Sequence, residues 1–153
     1  MRRGMPVAAV RGLACGAVAI LATFVLAVIV LGQAKLLTAS EAWVKLPASG
    51  ETQAKAFANI ENPTMYDIYI TSATADVAGK VELRDAGQSG EARLKPLEFI
   101  AVPAYGSAYM GPNGAHLALL DLKRPLNAGD TVTFILRTDG GATLPVTATV
   151  KKE

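Results

Sequence analysis

His116 is the only histidine in the chain, so any histidine-based chemistry must be built around it. It begins the apolar run His116–Leu120, directly after the turn-forming residues Gly111–Gly114, and Met110 stands just before them. A thioether and an imidazole that face each other across a hairpin would suit a soft ion such as Cu(I). These two residues are therefore the candidate metal ligands. The alternative is a hydrogen-bonded structural histidine beside a packing methionine, since two donors make a poor metal site.

The residues needed for other common site chemistries are missing from the sequence. The one cysteine, Cys15, lies in an apolar N-terminal stretch, so the rest of the chain has no thiol. The sequence contains no G-x-S-x-G motif and no glycine-rich phosphate loop. Its carboxylates are scattered singly among basic residues, which is typical of a solvated surface. We therefore expect that the protein is not an enzyme.

The N-terminal region predicts export. Residues 13–31 contain no charge, and a helix of this length crosses a hydrocarbon core of about 30 Å. Arginines and no acidic residues precede the run, which holds the N-terminus in the cytoplasm and sends the remainder across the membrane. The sequence thus predicts a protein at the bacterial inner membrane facing the periplasm. If the segment is removed, the protein is periplasmic.

Two interpretations of this N-terminal segment stay open. A cleavable signal peptide has a shorter apolar core followed by small residues, and residues 32–34 (Gly-Gln-Ala) would supply such a cut site. A retained signal anchor fits the length of the run better, and it would make the membrane a partner. Either way, the segment spans residues 1–34 and the exported domain spans 35–153. Cys15 lies early in the apolar run, whereas a lipid-modified cysteine follows one.

Charge argues against nucleic acid as a partner. The sequence pI of 8.8 is raised by the N-terminal segment, which holds three of the 15 basic residues. The remainder has 12 Lys and Arg against 13 Asp and Glu, a net charge of −1. Nucleic-acid binding needs a basic stripe interleaved with aromatic residues, and the exported part has none.

The exported part alternates apolar and polar residues, the pattern of half-buried β-strands. Phe57 interrupts the polar side of one run, and His116–Leu120 is apolar on both faces, as in a strand that is covered on both sides. We expect a turn at Ala78-Gly79 and an edge or bulge position for Pro145, which cannot donate to a ladder. Many short strands with regular turns predict an antiparallel sandwich or barrel. The alternating runs lie at 54–61, 66–71, 80–84, 132–136 and 144–150.

Over residues 40–150 the sequence resembles the periplasmic copper chaperone family called PCuAC. Three segments carry most of the resemblance: AKAFANIENP (54–63), LKPLEFIAVPAYGS (94–107) and GPNGAHLALLDLKRPLNAGDTV (111–132). The last is the most specific, with a His-led hydrophobic strand, an Asp-Leu pair and a Pro-Leu turn followed by Gly-Asp. The resemblance implies an all-β, cupredoxin-like Greek-key β-sandwich after the N-terminal helix. It also implies copper delivery to a protein partner during assembly of a copper oxidase.

Most of the copper ligands that the resemblance implies are replaced in this sequence. The family places a His at the end of the strand that matches 81–83, a Met further along, and a later His-x-Met. These positions hold Arg84, Leu94 and Ala118, and His116 alone is retained. A guanidinium stays protonated and cannot ligate a metal ion, and Leu and Ala have no donor atom.

Two functions remain compatible with this pattern. The first is a metal-free accessory or assembly factor built on the family's scaffold. The alternative is a periplasmic chaperone that delivers Cu(I) through His116, together with Met110 or with ligands from a partner. Both predict that Arg84 and Leu94 lie close to His116, where the guanidinium charge would lower the pKa of the imidazole.

Overall fold

The computed structural model describes residues 37–153, apart from the side chain of Leu94. The predicted N-terminal segment, with Cys15 and the candidate cut site at 32–34, lies outside the described residues. Within the described range, no helix has the length and apolar character needed to span a membrane. This range contains nine strands and one short 3₁₀ helix, Gly90–Leu94. The strands are β1 (Thr38–Lys45), β2 (Ala54–Glu61), β3 (Ile68–Ala75), β4 (Ala78–Asp85), β5 (Ile100–Val102), β6 (Ser107–Met110), β7 (Ala115–Leu122), β8 (Thr131–Thr138) and β9 (Thr143–Lys151).

All nine strands belong to one sheet. Its order is β4-β7-β2-β1-β9-β8-β3-β5, and β6 also pairs with β2. Neighbouring strands are antiparallel except β1 and β9, which are parallel. β3 and β4 are joined by only two residues, Asp76 and Val77, yet they stand near opposite ends of this order. The sheet therefore curls until its ends meet, and the described part of the chain is a nearly closed barrel. This confirms the all-β prediction.

The alternation of β2 fills the barrel interior on one side and exposes charge on the other. Lys55 and Glu61 point outward into solvent. Phe57 is also on the outward side, yet only 1% of it is exposed. Its ring centre lies 4.5 Å from that of Trp43 and 6.1 Å from that of His116, so a small aromatic cluster covers the sheet here. The inward side chains of β2, all nearly fully buried, are Ala54, Ala56, Ala58 and Ile60.

β6 and β7 are two parts of one strand that a loop interrupts. β6 pairs with the second half of β2 and β7 with its first half, and both run antiparallel to it. Residues 111–114 leave the sheet, and the Gly111 N–H donates to the Ala115 carbonyl at 3.0 Å across the base of this loop. Met110 and His116 therefore do not face each other across a hairpin. Both residues lie along the same edge of β2.

The other predictions for local structure are largely confirmed. Each alternating run falls within or overlaps a strand, and residues 116–119 of β7 are buried on both faces. Pro145 lies where β9 pairs with β8 and before the residues that pair with β1, which agrees with the expected edge position. The turn predicted at Ala78-Gly79 is wrong, since both residues lie in β4. A Cβ at Gly79 would come 3.1 Å from the Asp121 Cβ on β7, so this glycine permits a close approach of two strands.

Candidate functional site

The outer face of the sheet around β7 brings three of the four predicted ligand positions together. Arg84 on β4 is the direct cross-strand partner of His116, and Ala118 follows two residues along the same face of β7. Direct partners have Cβ atoms about 5 Å apart. Leu94 ends the 3₁₀ helix, and its side chain lies outside the described part. Its neighbour Arg93 lines the same groove as His116.

Met110 lies on the other side of the sheet. It is the cross-strand partner of Ala58, whose side chain points inward, and it is fully buried in the barrel core. His116 shares the outer face with Arg84, while its chain neighbour Leu117 points into the core. The structure therefore does not bring the thioether and the imidazole together. Pairing of β6 and β7 with β2 determines which face of the sheet each of their residues occupies. The loop between β6 and β7 allows Met110 and His116 to lie on opposite faces.

The His116 imidazole is 5% exposed and held in one tautomer. Its Nδ1 lies 3.0 Å from the Gly114 carbonyl oxygen. Because a carbonyl oxygen can only accept a hydrogen bond, Nδ1 carries the proton, and the neutral ring keeps a lone pair on Nε2. That nitrogen can accept a hydrogen bond or bind a metal ion.

Burial lowers the pKa of the His116 imidazole below its usual value of 6.5. The charges of Lys55 and Arg84 lower this pKa further, while the hydrogen bond to Gly114 and the Asp85 carboxylate act in the opposite direction. The ring is therefore neutral at neutral pH. The predicted effect of Arg84 has the expected sign, although burial contributes more than charge does.

We expect the free energy of unfolding to fall as the pH is lowered from 6.5 toward the lowered pKa of His116. In that window the unfolded chain binds a proton that the folded chain does not, so acid favours unfolding. Urea unfolding of the wild type and of His116→Gln at several pH values measures this slope, which the variant should lose. Because the chain has one histidine, NMR titration of its ring is unambiguous. A ring that titrates at or above pH 6.5 in the folded protein would contradict the prediction.

Glu82 holds Arg84 in place beside the imidazole. Arg84 Nε donates to Glu82 Oε2 at 3.0 Å, and Lys80 Nζ lies 2.7 Å from the other carboxylate oxygen. The hydrogen bonds from Lys80 and then Arg84 lower the pKa of the Glu82 carboxyl, so it stays ionised at neutral pH. A fixed guanidinium therefore occupies the position where the resemblance implies a metal ligand.

A row of three lysines crosses the same outer face. Lys55 on β2, Lys45 on β1 and Lys151 on β9 are direct partners on adjacent strands. Lys45 forms an ion pair with Glu153, and Lys151 Nζ lies 4.9 Å from the centre of the Trp43 ring. Sequence analysis missed this row because each lysine is a single polar residue in an alternating run. Only the strand register shows that the three lie side by side.

The donor atoms on this face do not form a metal site by themselves. Among residues 37–153, no three His, Cys, Asp or Glu side chains are grouped so that they could hold a metal ion. His116 supplies one nitrogen, Arg84 carries a positive charge, and Ala118 has no donor atom. The residues present therefore do not fit a tightly held copper ion.

Comparison with known proteins finds a matching family model, a related protein and similar solved structures. The LpqE-like family model, described as "Putative lipoprotein LpqE-like", matches residues 37–150. A Leifsonia xyli subsp. xyli protein named "Putative lipoprotein Lxx21020" is 31% identical over 121 residues, which is 78% of this chain and 72% of that protein. The solution structure of CuI-DR1885 from Deinococcus radiodurans is 30% identical with a TM-score of 0.61, and the match covers 77% of this chain and 78% of that one. The copper-bound PCuAC domain from PmoF2 has a TM-score of 0.66 at 19% identity, covering 77% and 94% of the two chains.

The fold and the comparisons together define a PCuAC-type β-domain. The solved PCuAC domains share its overall fold, and the resemblance found in the sequence is confirmed. Within this class, the chain belongs to the LpqE-like family, whose model covers nearly the whole described range.

Proposed function

We propose that this chain is an exported PCuAC-type protein that works without a resident copper ion, as an accessory or assembly factor for another protein. The observation that carries the proposal is that Arg84 is the direct cross-strand partner of His116, the one histidine of the chain. A fixed positive charge on the neighbouring strand opposes binding of a cation at the imidazole. The family's likeness to copper-chaperone domains, rather than to an enzyme family, supports a role without catalysis.

The number of available donors supports the same proposal. Capture of a soft metal ion takes several donor atoms that converge on one point. Here Ala118 and Arg84 flank His116 without offering a donor, and the Met110 thioether is packed in the core. The scaffold is intact around these replacements, since the inward residues of β4 and β7 remain apolar and buried. The barrel is therefore intact although the ligand set that the resemblance implies is absent from the described face.

Copper analysis of the full chain tests the proposal. The protein is purified from membranes of its producing cell after growth with added copper, and copper is quantified per chain. We expect far less than one copper per chain. DR1885, which is known as a Cu(I) form, serves as the loaded control. One copper per chain in the purified protein would contradict the proposal.

A second candidate is delivery of Cu(I) through His116 with ligands supplied by a partner. The 30% identity to CuI-DR1885 and the lone pair on His116 Nε2 favour it. The version with Met110 as the second donor needs the thioether to leave the core. In this case copper would bind only when the partner is present, and His116→Ala would abolish it.

We further propose that residues 1–34 direct the domain to the periplasm and hold it at the inner membrane. The uncharged run at 13–31 and the arginines before it support this location. The lipoprotein name of the Leifsonia relative also supports export. Such a tether would place the domain beside membrane proteins that are assembled in the periplasm.

A further inference from the structure

The lysine row described above is unfavourable for the sheet on its own. Like charges on directly opposed strand residues destabilise a sheet. Adjacent strands lie about 4.8 Å apart, so Lys55, Lys45 and Lys151 concentrate three positive charges within about 10 Å. Glu153 and the Trp43 ring offset part of this repulsion. The arrangement is therefore best suited to a surface that meets negative charge.

Two of these lysines, Lys45 and Lys55, line a groove that continues over β7 to Arg84. Five of the 11 basic residues in the range 37–153 line this groove, against two of the 13 acidic residues. The described part of the chain as a whole has more acidic than basic residues. The groove is thus a positive surface on a domain that is otherwise negative. Its remaining basic residues are Arg93 and Lys152.

The floor of the groove adds no compensating negative charge. His116, Ala118 and Leu120 lie along β7 between the lysines and Arg84. The imidazole is uncharged at neutral pH, and its Nε2 lone pair can accept a hydrogen bond from a backbone or side-chain donor. An occupant therefore meets cations on both sides and an uncharged acceptor in the middle, with Glu51 and Asp85 as the two carboxylates of the lining.

We infer that this groove, formed over the predicted copper-ligand positions, binds an acidic, extended segment of a partner protein. The spread of the charges favours a chain of carboxylates over a single phosphate. From β4 to β9 the positive side chains extend over four strand spacings, about 19 Å, whereas one phosphate reaches only a small part of this span. An extended peptide places side chains on one side about every 7 Å, so four such side chains extend over about 20 Å, close to the span of these charges. Complementary charge of this kind sets partner choice and association rate.

The inference rests on the proposed function and specifies that the partner segment is acidic. Its test is independent of the copper measurement. The full chain in a neutral detergent is titrated into a fluorescein-labelled octapeptide of alternating Glu and Ser, and fluorescence anisotropy is recorded. The same peptide with Gln in place of Glu is the control ligand. We expect binding of the Glu peptide alone, with an affinity that falls as salt is added.

Charge-removing variants test whether the Glu peptide binds in the groove. The double variant Lys45→Gln with Lys55→Gln should weaken binding of the Glu peptide at least fivefold. The matched control, Lys123→Gln with Arg137→Gln, removes two exposed charges outside the groove and should leave the affinity within twofold. Trp43 fluorescence shows that each variant remains folded.

Several outcomes would overturn the inference while leaving the copper result untouched. They are equal binding of the Gln peptide, equal loss in both double variants, or no peptide binding. Displacement of the peptide by millimolar inorganic phosphate would show a simple anion site. Binding to phosphatidylglycerol vesicles without binding to the peptide would assign the groove to lipid headgroups. Copper in the purified protein would instead overturn the proposed function.

Discussion

Arg84→His combined with Ala118→Met is expected to give this chain a Cu(I) site about a thousandfold tighter than the wild type has, a gain of about 4 kcal/mol. The two changes add an imidazole and a thioether to the imidazole of His116, so the number of metal donors on this face rises from one to three. Arg84 is the direct cross-strand partner of His116, and Ala118 lies on the same face two residues along β7, so the new side chains lie beside the imidazole. Removing the guanidinium also removes a fixed positive charge from the site.

A Cu(I)-binding dye that competes with the full chain measures this gain. The matched control is Arg84→Gln with Ala118→Leu, which removes the same charge and adds similar volume without an imidazole or thioether donor. The control should gain far less affinity than the variant that adds donors, because it relieves only the repulsion. If both double variants gain equal affinity, repulsion alone excluded copper, and the ligand count is not the cause. If neither gains, the face does not have the geometry described above.

Phe57→Ala is expected to cost about 3–5 kcal/mol of unfolding free energy, the largest effect of a single substitution on the outer face. Phe57 is 1% exposed and packs between the rings of Trp43 and His116, so its removal leaves a gap that the sheet cannot close. Water that enters this gap would hydrate the imidazole and bring its pKa back toward 6.5. Urea unfolding followed by the fluorescence of Trp43 measures the loss, since the chain has one tryptophan.

Phe99→Ala is the matched control for this substitution. Phe99 makes an edge-on contact with Tyr69, but 49% of it is exposed. The same truncation there should cost about 1 kcal/mol or less, because little apolar area is returned to water. Equal losses in the two variants would show that the aromatic cluster around Phe57 adds no specific stability.

The period-two pattern predicts most strands of this fold, and its failures have local causes. β1 was not predicted, because Glu41 adopts a φ of 51° and the pairing with β2 shifts register between Ser40 and Trp43. Such a bulge breaks the alternation that reveals a strand. Gly79 was read as a turn signal, yet it lies in β4 against Asp121. A glycine that permits close approach and one that makes a turn look the same in a sequence.

The candidate site was predicted in part, and the missing part depends on register. The resemblance predicts that Arg84 and Leu94 lie close to His116; strand pairing places Arg84 opposite His116, whereas the side chain of Leu94 lies outside the described part. Whether Met110 faces the imidazole stayed open in the sequence, and the loop between β6 and β7 places the two residues on opposite faces, which spacing along the chain does not reveal. The lysine row was missed for a related reason. Lys45, Lys55 and Lys151 are far apart in sequence, and the pairing of β2, β1 and β9 alone makes them neighbours.

The position of Phe57 in the sequence indicates that the outer face of the sheet is covered there. A large aromatic residue on the polar side of an alternating strand predicts a covered outer face at that point. Together with Trp43 it indicates that one part of the barrel wall is packed on both sides. This packing helps to bury the imidazole of His116, and burial lowers its pKa.

Competition for Cu(I) between the wild-type full chain and a chelating dye tests most directly whether the chain has a copper site of its own. With a single imidazole opposite a guanidinium, the chain should leave the dye loaded at submicromolar free copper, and His116→Ala should behave identically. Withdrawal of one Cu(I) per chain that is lost in His116→Ala would contradict the account.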